Sequence, residues 1–290
     1  MARGDFHLHS TASDGTSAPA DVVALAASRG VEVLALTDHD TTAGIKAAQR
    51  AGNAAEIRVI AGIEISTDLP DGGDAHILGY FPTPANNAAV GGDAFQIQLR
   101  RYREGRQARG LTILAKLDAL SLSLSWDRVL AIAGEAAVGR PHVAAAMVEA
   151  GYVETVPEAF DLYLYSGGPG DAPREKLPPP QALQLIRDAG GVPVLAHPRY
   201  LPDPEGTIAS LSGHGLQGIE VYYKNHDPHD IARFDRLAKE HGLIATGGSD
   251  FHGTKADEHL PGDLPLPPDR VNTFLAFLEQ EWSAYKDGVN

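Results

Sequence analysis

The chain has 290 residues, with 38 acidic and 24 basic side chains and a formal net charge of -14. Its length can bury the core of one large domain, or of one domain that carries an insertion. The negative charge argues against broad, nonspecific attraction to nucleic acid, so no long duplex is expected as a partner. Because the chain has no cysteine, disulfides and thiolate ligands are excluded, and any metal ion must bind to His, Asp or Glu.

Short apolar or β-branched runs alternate with helix-like segments along most of the chain. This alternation is typical of β-α units around a parallel sheet or barrel. The first such helix is signalled by Ser17 and Pro19 at its start and by Gly30 at its end. Candidate strands cover residues 4–10, 31–40, 57–66, 75–81, 192–198, 218–223 and 243–252.

The segment 91–176 has helical periodicity and contains no strand candidate. We therefore predict a barrel domain formed by residues 1–90 and 177–290, with a helical insertion at 91–176. A Gly- and Pro-rich stretch at 165–180 would return the chain to the barrel. No long apolar run and no signal sequence occurs, so we expect a cytoplasmic protein with no membrane contact. The oligomeric state is not predicted.

Histidines and acids cluster where the candidate strands end. His7 and His9 share one face of the first strand because alternate side chains point the same way. Asp250 and His252 repeat this spacing at the last strand. Chemistry in parallel barrels collects at the carboxyl ends of the strands, and a closed barrel makes the first and last strands neighbours. His7, His9 and Asp250 are thus predicted to reach one ion, together with Glu64 from a nearby strand. Such nitrogen and oxygen ligands favour manganese, iron or zinc at a catalytic site.

Taken singly, several of these residues have ordinary structural explanations. Glu64 would serve as a helix cap, His197 as a buried core histidine and Arg140 as a partner in a surface ion pair. The basic stretch that contains Arg100, Arg103, Arg106 and Arg109 is typical of a solvated helix face, although a strip that tracks nucleotide phosphates has the same pattern. Near the sixth strand, Glu220 or Asp227 could share the rim of the site with His226.

The motifs DFHLHSTASDG, ALTDHDTTAG, GIEIS, HILGY, LAHPRY and GGSDFHG together span nearly the whole chain. In this order they resemble the PHP (polymerase and histidinol phosphatase) family of metal-dependent phosphoesterases. The segment GRPHVAAAMVEAG is similar to the insertion of members that act as nucleotide phosphatases or 5′-to-3′ RNA exonucleases. The resemblance implies a distorted (β/α)7 TIM-like barrel with a small inserted helical domain.

The resemblance also implies a site with three divalent metal ions, most often manganese. Many relatives carry a histidine at the position of Asp14, but the insertion-bearing subgroup often has aspartate there. The nearby acids Asp38 and Asp40 are the candidates to orient His39 and His252. The implied ligands are His7, His9, Glu64 and Asp250 for the first ion; Glu64, His76 and His142 for the second; and Asp14, His39 and His252 for the third.

The implied reaction is hydrolysis of a phosphate ester by attack of a hydroxide that two metal ions share. Arg140 would bind phosphate oxygens, and His197 would contact the phosphate or protonate the leaving group. Relatives often carry a lysine soon after a Tyr-Leu pair, and here either Arg174 or Lys176 would replace it as a substrate contact or the choice of substrate would differ. The expected substrate is an AMP-like nucleotide, a 3′,5′-bisphosphonucleoside or a short 5′-phosphorylated oligonucleotide. Two alternatives are an amidohydrolase-type C–N hydrolase and a noncatalytic metal-binding PHP module.

Overall fold

A computed structural model describes residues 3–69, 74–82, 90–133, 138–165, 167–172, 177–254 and 259–289. The chain packs as two compact units, one of Met1–Gln96 with Leu177–Asn290 and one of Ile97–Lys176. These junctions lie near the predicted ones. That the second unit is an inserted domain stays a prediction.

The described strands and helices follow one another in the order that the sequence pattern indicates. They are β1 (Gly4–Leu8), α1 (Pro19–Ser28), β2 (Val33–Leu36), α2 (Ile45–Ala55), β3 (Arg58–Asp68), β4 (Asp74–Phe81), α3 (Gly92–Ala119), α4 (Trp126–Ala133), α5 (Arg140–Glu149), α6 (Val156–Ala159) with a π-helical turn (Phe160–Leu164), α7 (Pro179–Asp188), β5 (Val192–Leu195), a 3-10 turn (Pro198–Tyr200), α8 (Pro204–Ser212), β6 (Gly218–Tyr223), α9 (Pro228–Glu240), β7 (Ile244–Gly248) and α10 (Pro268–Val289).

The first unit contains a seven-stranded sheet in the order β1 to β7. Its neighbouring strands run parallel except at β4, which is antiparallel to both β3 and β5. The antiparallel β4 thus departs from the parallel β-α pattern that the sequence indicates for most of the chain. A parallel crossover needs a dozen or more residues, whereas only residues 69–73 join β3 to β4, so the chain must turn back as a hairpin.

The first and last strands meet and nearly close the sheet into a barrel. Leu8 pairs with Phe251 just beyond β7, and the backbone N–H of His9 donates to the Phe251 carbonyl oxygen at 2.9 Å. The buried carboxylate of Asp5 accepts hydrogen bonds from the backbone N–H groups of Ser249 at 3.0 Å and Gly262 at 2.8 Å. The predicted fold class, a distorted α/β barrel, is confirmed, and the reversed β4 is its main distortion.

An apolar core fills the barrel where its parallel strands begin, and α10 packs against it. Phe274 of α10 is fully buried, with its ring centroid 4.7 Å from that of Phe6 and 5.0 Å from that of Tyr80. Tyr80 is also buried and donates its hydroxyl hydrogen to the Phe6 carbonyl oxygen at 2.8 Å. Each such side chain contributes about 1.5–3 kcal/mol through burial. The predicted metal ligands of the barrel unit, such as His9 and His39, lie towards the opposite end of the parallel strands.

The second unit is helical in its described part and has an apolar core of its own. Leu117, Val129, Val143, Met147 and Leu164 are fully buried in this core. Among the described helices of the whole chain, none combines the length and hydropathy needed to cross a membrane.

Candidate metal centre

The predicted ligands of the barrel unit lie at one end of the sheet. His9 and His39 follow β1 and β2, and residue 39 forms a β-bridge with Glu64 of β3. Because β4 is reversed, its beginning lies beside the end of β3, and His76 pairs there with Ser66. The hairpin thus brings a ligand from the start of a strand to the carboxyl ends of the parallel strands.

The carboxylate of Glu64 lies at the centre of these side chains and is almost fully buried. It faces histidine nitrogens from several strands, so a cation at this point would have donors on more than one side. The nitrogens are His7 Nε2 at 3.1 Å, His9 Nε2 at 3.2 Å and His39 Nδ1 at 3.3 Å from Oε2, and His76 Nδ1 at 2.8 Å and His197 Nε2 at 3.1 Å from Oε1.

The ligand atoms form three overlapping groups, and within each group all atoms lie within 4.8 Å of one another. One group contains every residue predicted for the first ion. Another contains every residue predicted for the third ion and, in addition, His9. The remaining group contains Glu64 and His76, which are predicted for the second ion, together with His39. The groups are His7, His9, Glu64 and Asp250; His39, Glu64 and His76; and His9, Asp14, His39 and His252.

The side chain of His9 provides a test of whether a cation fits this site. It is fully buried, yet neither ring nitrogen has a hydrogen-bond partner among the described residues. Its Nε2 lies 3.2 Å from both Glu64 Oε2 and Asp250 Oδ1. The two carboxylates therefore lie close to the ring without forming a hydrogen bond of good geometry, and nitrogen and oxygen donors that converge on one point in this way suit a divalent ion. The donor set therefore fits metal ions.

The pKa values in the cluster show how strongly these groups interact. Burial raises the pKa of the Glu64 carboxyl, but the nearby imidazoles outweigh this effect and hold that pKa well below its ordinary value. Burial lowers the pKa of His9, but the carboxylates of Asp250 and Glu64 raise it to about 10. Burial, reinforced by His9, lowers the pKa of His39 to about 4. A metal ion would have to displace the proton of His9.

Asp250 is held in place by two residues that follow one another at the end of β6. Tyr223 donates its hydroxyl hydrogen to Oδ2 of Asp250 at 2.9 Å, and the Lys224 ammonium donates to the Asp250 carbonyl oxygen at 2.7 Å. The other carboxylate oxygen, Oδ1, faces His7 and His9 at 3.4 Å and 3.2 Å. No motif in the sequence points to Tyr223 or Lys224.

The predicted role of Asp38 in orienting His39 is wrong. The Asp38 carboxylate accepts hydrogen bonds from the N–H and hydroxyl of Ser10, at 2.7 Å and 2.8 Å, and from the hydroxyl of Ser13 at 2.7 Å. Asp40 accepts from the backbone N–H of Ser66 at 3.1 Å. These acids fix the loop after β1 and the end of β3.

Glu220 of β6 is fully buried and contacts two of the predicted site residues. Its Oε1 lies 3.1 Å from His7 Nδ1, and its Oε2 accepts a hydrogen bond from the backbone N–H of His197 at 2.8 Å. The sequence predicts Glu220 only as one of two acids near the rim of the site. The available signal was an acidic residue inside an otherwise apolar strand.

The remaining predicted site residues lie outside the barrel unit. His142 is near the start of α5, where its Nδ1 accepts the backbone N–H of Gly139 at 3.0 Å. Arg140 donates to the Leu164 carbonyl oxygen at 3.1 Å, and its guanidinium lies 5.6 Å from the centroid of the Phe160 ring. Lys176 and Arg174 lie outside the described residues. The ligand and substrate roles of these residues stay predictions.

The comparison with curated proteins finds relatives that match most of the chain. A 5′-3′ exoribonuclease of Salmonella typhimurium is 36% identical over 86% of this chain and 84% of its own length. A 3′,5′-nucleoside bisphosphate phosphatase of Chromobacterium violaceum is 35% identical over 87% of this chain and 88% of its own. The model of the PHP domain matches residues 5–133. The chain belongs to the PHP family.

Solved structures match this PHP protein over almost its full length. An amidohydrolase from Chromobacterium violaceum, solved with sulfate and without metal, has a TM-score of 0.79 at 32% identity and covers 97% of each chain. A metal-dependent phosphoesterase from Bifidobacterium adolescentis has a TM-score of 0.73 at 30% identity over 95% of this chain and 96% of its own. The predictions of the PHP family, of a phosphoester hydrolase and of metal dependence are confirmed.

Proposed function

We propose that this PHP protein removes phosphate from a nucleotide or from a short 5′-phosphorylated oligonucleotide, with three divalent metal ions in the barrel site. The single observation that carries the proposal is the set of three overlapping ligand groups at the end of the barrel, two of which share Glu64. The relatives that act on bisphosphonucleosides and RNA support the substrate class. Manganese is proposed as the ion, as the family resemblance implies, with iron or zinc as the alternatives that nitrogen and oxygen donors also suit. A cytoplasmic location stays a prediction.

In this proposal His7, His9, Glu64 and Asp250 would hold one ion, and the other two groups would each hold a further one. When bound, such ions activate water and neutralise charge on phosphoryl oxygens. His142 would complete the second set, as the family resemblance implies. A phosphate that reaches the site would therefore meet a surface whose acidic residues are already neutralised.

The residues proposed to handle the substrate are His197, Arg140 and Lys176. His197 Nε2 lies 3.1 Å from Glu64 Oε1, so its imidazole reaches the ligand cluster directly. Such a position suits a proton donor to the leaving alkoxide. Arg140 is proposed as the phosphate clamp, because a guanidinium can donate two parallel hydrogen bonds to phosphate oxygens.

The test is phosphate release by the metal-stripped protein before and after addition of Mn²⁺. The substrates are AMP, adenosine 3′,5′-bisphosphate, histidinol phosphate and 5′-phosphorylated RNA of two to five nucleotides. We expect Mn²⁺-dependent release from at least one nucleotide substrate, and H9A and D250N variants should lose it. Bound Mn²⁺ without release from any nucleotide would overturn the substrate proposal. Hydrolysis of a lactam or dihydroorotate analogue by the same preparation would favour C–N hydrolysis.

A further inference from the structure

Two carboxylates and two histidines form a closed ring of contacts at the barrel end. His7 uses Nε2 to contact Glu64 and Nδ1 to contact Glu220, both at 3.1 Å. His197 contacts Glu64 through Nε2 at 3.1 Å and Glu220 through its backbone N–H at 2.8 Å. Each glutamate therefore uses one oxygen for each histidine. The two imidazole rings are nearly parallel, with planes 20° apart and centroids separated by 5.8 Å.

The two glutamates differ in what else they contact. Glu64 also faces His9, His39 and His76, as described above. For Glu220, the side-chain hydrogen bonds and ion pairs of the described residues are those to His7 and His197. Glu220 is fully buried on β6, and both of its carboxylate oxygens make their contacts inside the barrel. An acid so placed acts on the site through these two histidines.

The backbone of His197 is held in an unfavourable conformation. Its φ of 25° and ψ of 60° lie in the left-handed region, which residues with a side chain seldom adopt. Pro198 follows and further restricts the backbone of the residue before it. Such strain persists only where surrounding contacts enforce it. The hydrogen bond from the His197 N–H to Glu220 is a contact of that kind, because it connects the strained residue to a buried strand.

We propose that Glu220 is a positioning residue that keeps the side-chain proton of His7 on Nδ1 and fixes the backbone of His197. The first contact leaves His7 Nε2 free of a proton and aimed at the metal site, because the hydrogen bond at one ring nitrogen decides which nitrogen binds metal. The second contact sets where the His197 imidazole lies. One side chain thus fixes the positions of both a predicted metal ligand, His7, and the predicted proton donor, His197. The inference rests on the proposed metal site.

The variant E220Q tests this role because it keeps the size of the side chain. A carboxylate has two acceptor oxygens, whereas a carboxamide has one acceptor oxygen and an NH₂ donor. The glutamine can therefore accept from His7 or from the His197 N–H, but not from both. Loss of a carboxylate that orients a metal ligand reduces metal affinity or activity by about 10- to 100-fold. We expect a loss of this size in Mn²⁺ affinity.

The affinity is measured by following the EPR signal of free Mn²⁺ during titration of the stripped full-length protein. The matched control is E279Q, which makes the same chemical change at an exposed ion pair with Arg58. We expect E279Q to bind Mn²⁺ as the wild type does. E220D, which keeps two acceptor oxygens, should bind Mn²⁺ more tightly than E220Q. The proposal would be overturned if E220Q bound Mn²⁺ with wild-type affinity, or if E220Q and E220D lost Mn²⁺ affinity equally.

Two further readouts separate positioning from loss of structure. In the Zn²⁺-loaded wild type, a long-range ¹H–¹⁵N spectrum should place the proton of His7 on Nδ1, and a proton-free Nδ1 would overturn the proposal even if E220Q does not fold. The rate for E220Q should fall more with AMP than with 4-nitrophenyl phosphate, whose leaving group needs no proton. If the wild type binds Mn²⁺ but hydrolyses no nucleotide, the proposed function fails while the affinity comparison still decides the role of Glu220.

Discussion

Tyr223 and Asp250 are joined by a hydrogen bond of 2.9 Å from the phenolic oxygen to Oδ2 of the carboxylate. Tyr223 lies at the end of β6 and Asp250 just beyond β7, so the bond connects two neighbouring strands at the ligand cluster. Since Oδ2 is occupied in this way, Oδ1 is the oxygen presented to His7 and His9. The hydrogen bond from Tyr223 thus leaves Oδ1 as the carboxylate oxygen that is available to the ligand cluster.

Replacing Tyr223 by Phe removes this hydrogen bond and should weaken Mn²⁺ binding by about tenfold, because partners of metal ligands typically contribute at least this much. The fold should remain intact, since the ring and its packing are retained. Mn²⁺ titration followed by EPR measures the effect. The control is Y222F on the same strand. Equal affinities in wild type and Y223F would show that Asp250 keeps its orientation without the tyrosine.

The metal-free protein should become less stable as the pH rises above neutrality. The pKa of His9 is about 10 in the folded chain and 6.5 ordinarily, so between these values the folded state holds more protons than the unfolded state. The free energy of unfolding then falls with increasing pH, and the contribution of His9 is lost as the pH passes the folded pKa. Urea unfolding of the stripped protein at about pH 7 and about pH 9 measures this trend. The slope should be smaller in H9Q, and a rise in stability over this range would contradict the assignment.

Mn²⁺ affinity should change with pH in the opposite direction. Because binding displaces the proton of His9, the affinity increases as the pH rises towards the pKa of about 10. Calorimetry in buffers of different ionisation enthalpy counts the protons released on binding. We expect release of about one proton or more per protein at neutral pH. Binding without proton release would mean that His9 is already neutral in the metal-free site.

Replacing Arg140 by Ala should raise KM for phosphate esters by about tenfold, the equivalent of about 1.4 kcal/mol, if the guanidinium binds substrate phosphate. The substitution also removes the hydrogen bond to the Leu164 carbonyl oxygen, so thermal unfolding must be recorded alongside the kinetics. Arg128 provides the control, because its ion pair with Glu149 is exposed. A lower melting temperature with unchanged KM would assign Arg140 to the packing of the helical unit.

Phe274 should be a major source of barrel stability although it is not one of the predicted site residues. Truncating a fully buried phenylalanine to alanine costs about 3–5 kcal/mol, because the transfer free energy is lost and a cavity remains. F274A is thus expected to lower the free energy of unfolding by this amount in urea titrations. F277A, on the half-buried face of the same helix, should cost less. Similar losses in the two variants would contradict the packing of α10 described above.

The positions of the strands could be predicted from the sequence, but the direction of β4 could not. All seven apolar runs form strands because alternation and β-branched content mark an extended, buried segment. Neither property depends on the direction in which the strand runs. The short connection at residues 69–73 was the usable signal, since a helical crossover does not fit into it.

The predicted ligands of the barrel unit come together because each lies in a short motif at a strand end. Glu220 and Tyr223 have no such motif, and they are three residues apart in a strand whose side chains alternate. Strict alternation would put Tyr222, not Tyr223, on the face of Glu220. An irregularity in the pairing of β6 with β7 between Glu220 and Tyr222 shifts this alternation, so that both Glu220 and Tyr223 point to the cluster. Sequence periodicity alone does not reveal a bulge of this kind.

A metal ion bound across the seam between β1 and β7 would have a second role. The two strands are joined by one bridge and by the hydrogen bonds of Asp5, whose partner Ser249 is 244 positions away in the chain. His9 lies on one side of this seam and Asp250 on the other. An ion held by both would cross-link the two ends of the barrel, as a disulfide does in a secreted protein, and would close a very long loop. In a chain without cysteine, the catalytic metal would thus also be a reversible cross-link that stabilises the fold.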